Sequence, residues 1–86
     1  MSQPVAMRLS ELPHHVTAIV RAVEDAGPAD PIARRLRDLG FVDGEPVRIV
    51  ARGPVQRDPL LVQIGYTRFA LRRAEAARVL VDAEAA

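Results

Sequence analysis

Chain breakers recur at short, regular intervals: Gly27-Pro28, Gly40, Asp43-Gly44, Gly53-Pro54, Asp58-Pro59 and Gly65-Tyr66 cut the sequence into pieces mostly shorter than ten residues. Glycine supplies backbone conformations closed to other residues, and proline removes a donor and fixes its own φ, so each pair ends whatever element precedes it. Pieces of this length suit short strands. A chain of 86 residues also has little interior, because a domain this small buries only about 60–65% of the surface its unfolded form exposes. A single domain spanning residues 1–86 is expected, with flexible ends near 1–6 and 83–86.

Between the breaks the patterning is legible. Val16–Val23, rich in β-branched residues, reads as a strand. Asp30-Pro31 opens the one clear helix, with Asp30 as N-cap, Pro31 at the first helical position and Ile32, Leu36 and Leu39 recurring on one face. Gly40 ends it, since a residue tolerant of the left-handed conformation is wanted there. After the turn at Asp43-Gly44, Val47, Ile49 and Ala51 alternate with Arg48, Val50 and Arg52, the period of a strand with one buried face. Leu60–Ile64 and Thr67–Leu71 follow as a hairpin across Gly65-Tyr66. A helical turn over Ala74–Arg78 leads to a last strand, Val79–Val81. Four or five short strands and one helix cannot cover both faces of an open sheet. The expected solution is mainly β, a small closed barrel of about five strands with the helix over one opening and a short helical turn near the C-terminus.

Composition limits the chemistry. Hydrophobic residues at 49% and charged residues at 27% fit a folded domain, and a net charge of +1 does not advertise affinity for phosphate backbones. Cysteine is absent, which removes disulfides, thiolate nucleophiles and Cys-based metal sites and suits a reducing, cytoplasmic setting. The longest apolar runs, such as Leu60–Val62, are far below the ~18 residues a membrane span requires, so direct membrane insertion is not expected. Catalysis needs a nucleophile, a base and an orienting group within reach. The chain offers Ser2, Ser10, Thr17 and Thr67 with two adjacent histidines, and no glycine-rich phosphate loop, so it is not expected to be an enzyme.

The stretch LRDLGFVDGEPVRIVARGP, Leu36 to Pro54, together with ALRRAEAARVLV, Ala70 to Val81, resembles the FeoA family of ferrous iron transport proteins. The combination carries the resemblance: a helix ending in Leu-x-x-Leu-Gly-Phe, a glycine three residues after that phenylalanine, a Val-x-Ile strand, and Ala-Leu-Arg-x-x-Glu-Ala near the end. It implies an SH3-like barrel working in the cytoplasm beside FeoB, the membrane permease with a GTP-binding domain that imports ferrous iron. The same fold is also the last domain of iron-dependent repressors. The shared positions Leu36, Leu39, Gly40, Gly44, Val47 and Leu71 are scaffold, and Arg72 and Glu75 are the charged ones, read as a local ion pair at helical spacing.

Three sets of residues remain as candidates. Residues 31–57 hold six Arg against Asp38, Asp43 and Glu45, giving +3, whereas residues 1–30 hold two Arg against four acids, giving −2. Arg34, Arg35 and Arg37, with Arg72, are therefore candidate contacts for an acidic face of a partner, with Phe41 as apolar anchor and the loop Gly53 to Asp58 beside them. His14 and His15, near Glu11, are the candidate metal ligands, expected to pick up zinc opportunistically. No cofactor is required by the sequence. Self-association through short edge strands is compatible with it. The leading reading is a non-catalytic regulatory module acting on a FeoB-like permease. The alternative is a small nucleic-acid-binding barrel, disfavoured because aromatic residues, the stacking platforms such proteins use, are only 3% of the chain.

Overall fold

The computed structural model describes residues 3–84. Its elements in chain order are β1 (Pro4–Arg8), a 3-10 turn (Leu9–Glu11), β2 (Ala18–Val23), α1 (Pro31–Asp38), β3 (Pro46–Val55), β4 (Asp58–Ile64), β5 (Thr67–Leu71), α2 (Arg73–Ala76) and β6 (Val79–Glu84). The six strands form one antiparallel sheet in the order β1-β6-β2-β3-β4-β5.

The mainly-β expectation holds, but the sheet has one strand more than expected and its ladder does not close. β1 and β5 are its two edges. Between those edges the turn Leu9–Glu11 packs against α2, and Leu9, Leu12 and Ala76 are wholly buried there. Side chains thus complete the enclosure that hydrogen bonds do not. The strand β1 lies where a flexible end was expected, paired with β6 from Pro4↔Glu84 to Arg8↔Leu80. Met1, Ser2, Ala85 and Ala86 fall outside the described residues.

The core is built by alternation. Val79, Val81 and Ala83 of β6, Val20 of β2, Val47 and Ile49 of β3, and Leu60, Val62 and Ile64 of β4 all face inward and are buried. In β3 the alternation breaks after Ile49, where a register shift precedes Ala51. Arg52 pairs with the inward-facing Leu60 and so joins the concave side, the opposite of what an unbroken period of two predicts. The segment Gly53–Asp58 is likewise no loop. It is the tip of the β3–β4 hairpin, with Val55 opposite Asp58 and both turn residues, Gln56 and Arg57, at positive φ (54° and 62°).

The helix α1 starts as its sequence dictates: the carboxylate of Asp30 accepts from the amides of Ile32 at 3.0 Å and Ala33 at 3.4 Å, with Pro31 at the first position. Its buried face consists of Ala33 and Leu36, with Leu39 partly covered, whereas Ile32 is 36% exposed. At its end Gly40 takes φ 112°; the Gly40 amide donates to Arg37 and the Phe41 amide to Leu36, both at 3.1 Å. This is a Schellman closure, in which the residue after the glycine characteristically packs back on the last turn.

Candidate functional site

That closure decides the position of Phe41. It is 1% exposed, packed in the core beside Phe69 at a ring separation of 6.4 Å. Phe41 is therefore a structural residue and no apolar anchor for a partner. The signal was present in the sequence, because an apolar residue directly after a helix-terminating glycine is the one expected to fold back on the helix. The residue that does stand out is the next one: Val42 is 46% exposed.

The arginines of α1 separate into different roles. The Arg37 guanidinium donates to both oxygens of Asp25, at 3.1 and 2.9 Å, and to the carbonyl of Val23 at 2.7 Å, pinning the end of α1 to the end of β2. Asp25 holds Arg37 above its ordinary pKa, and Arg37 holds the Asp25 carboxyl below its own. Arg37 thus serves the fold, while its side chain stays 42% exposed. Arg35 lies 3.6 Å from Glu75 and links α1 to α2, with the arginine side chain largely exposed. Arg34 forms no ion pair among the described residues and is exposed.

Near the C-terminal helix the expected side-chain pair between Arg72 and Glu75 is not formed. Glu75 accepts instead from the backbone amide of Arg72 at 2.8 Å, capping α2, and turns its other oxygen toward Arg35. The role is local and structural as the spacing suggests, but the Arg72 side chain is left exposed and without an ion pair among the described residues. Arg34, Arg35, Arg37 and Arg72 remain as candidate contacts. The scaffold positions behave as scaffold: Leu36, Val47 and Leu71 are buried, Leu39 packs on the core, and Gly40 and Gly44 hold φ of 112° and 94°.

Beside α1 lies a groove of about 310 Å³ lined by Ala22, Val23, Arg37, Phe41, Val42 and Asp43. Its far wall is tied down by Arg21, which bridges Asp82 at 2.5 Å and Asp43 at 3.3 Å and so joins β6, β2 and the loop after α1. Both carboxylates hold Arg21 above its ordinary pKa, Asp82 more strongly. Arg21 was not singled out from sequence, since only the strand order brings residues 21, 43 and 82 together.

His14 and His15 are exposed, with ring centres 5.6 Å apart, and the His15 amide donates to the carbonyl of Ile49 at 3.1 Å, which attaches this segment to β3. Glu11 turns back to accept from the amide of Arg8 at 3.1 Å. Among the described residues no three His, Asp or Glu side chains are grouped so as to hold a metal ion. Nor do the aromatic rings make a stacking platform: Phe41 is buried, Phe69 is half-buried and only Tyr66 is fully exposed. No helix among the described residues is long and apolar enough to cross a membrane.

Set against known proteins, residues 7–83 match the model of the FeoA domain. The fold is similar to that of Stenotrophomonas maltophilia FeoA, a procaryotic SH3 domain protein crystallised with zinc, at 64% identity and a TM-score of 0.82 over 88% of this chain and 89% of that one. It is similar also to Chlorobium tepidum FeoA, at 36% identity and a TM-score of 0.75 over 90% of this chain and 70% of that one. A manganese-dependent transcriptional repressor shares the fold alone, at 22% identity and a TM-score of 0.78 over 94% of this chain and 43% of that one. Among curated proteins none matches. With the SH3-like sheet, the Schellman-closed helix and a family match across nearly the whole described chain, the protein belongs to the FeoA family.

Proposed function

We propose that the protein is a non-catalytic, cytoplasmic accessory factor of ferrous iron uptake that docks on the cytoplasmic part of a FeoB-type permease. The Stenotrophomonas FeoA, 64% identical, is described as a candidate activating factor of bacterial ferrous iron transport, and that description supports the reading. The observation that carries it is the face beside α1. There Val42 stands 46% exposed on the lip of the 310 Å³ groove, which Arg37 also lines, and α1 itself presents Ile32, 36% exposed, and Arg34, which forms no ion pair among the described residues. An apolar lip with arginine at its border is the make-up of a protein contact, in which aliphatic and aromatic groups bind and rim charges steer. Docking shifts the permease between its states only by as much as the affinities for those states differ. Zinc at His14 and His15 is opportunistic in this reading and not required for action.

The test is a calorimetric titration against the cytoplasmic domain of the FeoB from the same genome, at low and high salt. Val42→Asp is expected to weaken binding about tenfold or more, as loss of a central apolar contact does. Arg34→Glu is expected to slow association and flatten the salt dependence while changing dissociation little. Absence of binding by the unaltered protein at both salt concentrations overturns the proposal.

A further inference from the structure

The register shift in β3 has a chemical result at the other end of the sheet. It turns Arg52 inward, where its guanidinium donates to the carbonyl of Leu12 at 2.6 Å across the mouth of the fold. Arg52 is half-buried and, among the described residues, no carboxylate lies within ion-pair distance of it. Its charged neighbours are two more arginines, Arg57 at the hairpin tip and Arg73 at the start of α2, and burial first, then these two, lower its pKa. A carboxylate at this end, that of Asp58, accepts the backbone amide of Arg73 at 2.8 Å. Arg52 and Arg57 line a recess of about 430 Å³ with Pro13, His14 and Gly53, and with Arg73 beside it and Asp58 opposing, these four groups sum to +2.

Like charges gathered at a half-buried point oppose folding unless something compensates them. Arg8, Arg21, Arg35, Arg37 and Arg78 each have a carboxylate partner, and Arg34, Arg68 and Arg72, which have none among the described residues, are exposed to solvent, whereas Arg52 is half-buried beside like charges. We propose that this mouth is an anion-binding site for a phosphoryl group, gripped by Arg52, Arg57 and Arg73. The Leu12 carbonyl uses one donor of Arg52 and fixes the plane of its fork, leaving the remaining N–H groups for a ligand. Guanidinium forks match the oxygens of phosphate bidentately. A multiply charged oxyanion neutralises a +2 site, whereas a single carboxylate neutralises half of it. At about 30 Å³ per water, the recess accommodates an oxyanion with part of its hydration shell. This site lies apart from the groove beside α1 and does not depend on any contact with a permease.

The test is isothermal titration of the intact protein at low ionic strength with inorganic phosphate, pyrophosphate and GDP, which separates a free oxyanion from one carried on a nucleotide. One-to-one binding is expected, with pyrophosphate tighter than phosphate and a ligand-dependent rise of the melting midpoint. Arg57→Gln and Arg73→Gln, both at exposed positions, are each expected to weaken binding about tenfold, the loss of one charge-assisted contact, and Arg52→Gln at least as much. Arg34→Gln on α1 should leave it unchanged. Absence of binding overturns the proposal. So does equal weakening by Arg34→Gln, which marks diffuse attraction, or tighter binding of an oligoglutamate peptide than of pyrophosphate, which assigns the mouth to an acidic protein segment.

Discussion

Replacing Asp30 by alanine removes four contacts with one substitution. The Asp30 side chain is 6% exposed, and its two oxygens accept from the amides of Ala26 at 2.8 Å, Ile32 at 3.0 Å and Ala33 at 3.4 Å while pairing with the guanidinium of Arg78. Loss of an N-cap costs about 1 kcal/mol. Breaking the pair leaves the Arg78 side chain, 24% exposed, without its counter-charge, which at that depth costs about 2–3 kcal/mol. The sum is about 3–4 kcal/mol, a fall in melting midpoint of roughly 15–25 °C for a domain of this size. Asp30→Asn keeps a capping oxygen and loses the charge, so it should cost about 2 kcal/mol. Urea unfolding followed by far-ultraviolet circular dichroism measures both, and a double-mutant cycle with Arg78→Ala isolates the pair. A loss below 1 kcal/mol for Asp30→Ala, or equal losses for alanine and asparagine, would refute the assignment of these roles.

Two further outcomes are expected from other parts of the fold. A Cβ at Gly53 would collide with the backbone carbonyl of Asp58 and come within 2.9 Å of the Pro59 ring, so Gly53→Ala should destabilise by about 1–3 kcal/mol in the same unfolding assay, while Gly27→Ala, with open space around it, should change stability little. The Asp25 carboxyl, held below its ordinary value of 3.8 by Arg37, stabilises the fold fully above that value, and its contribution disappears as pH falls through the lower, folded one. Melting curves below pH 4 should therefore show a smaller further loss for Asp25→Asn than for the unaltered protein, and parallel curves would contradict the pairing with Arg37.

How far the sequence could be read depended on whether an element's partner was near in the chain. The helix from Pro31 to Asp38 is written locally, by Asp30 before it and Gly40 after it, and the hairpin at Gly65-Tyr66 joins adjacent strands, so both were legible. The strand Pro4–Arg8 carries no alternation of its own and exists because β6 pairs with it from the far end of the chain. Ile32 looked like core because it shares a helical face with Leu36, but the helix turns Ala33 inward instead. Among the candidate contacts, Arg34 and Arg72 were found as exposed charges, while the inward turn of Arg52 depends on a one-residue shift in β3 that no side-chain pattern announced.

The sixth strand, last to be made, lies between the first and the second. While the chain is still emerging from a ribosome, β1 has no neighbour to join, β2 has only its short pairing with β3, and the Leu9, Leu12 and Val20 side chains lack the β6 wall of their interior. Acquisition of structure is thus a late event governed by distant contacts, slow relative to helical proteins of equal length. Nascent molecules released early would expose β1 and the open edge of β2, a natural target for chaperones and for mispairing with one another.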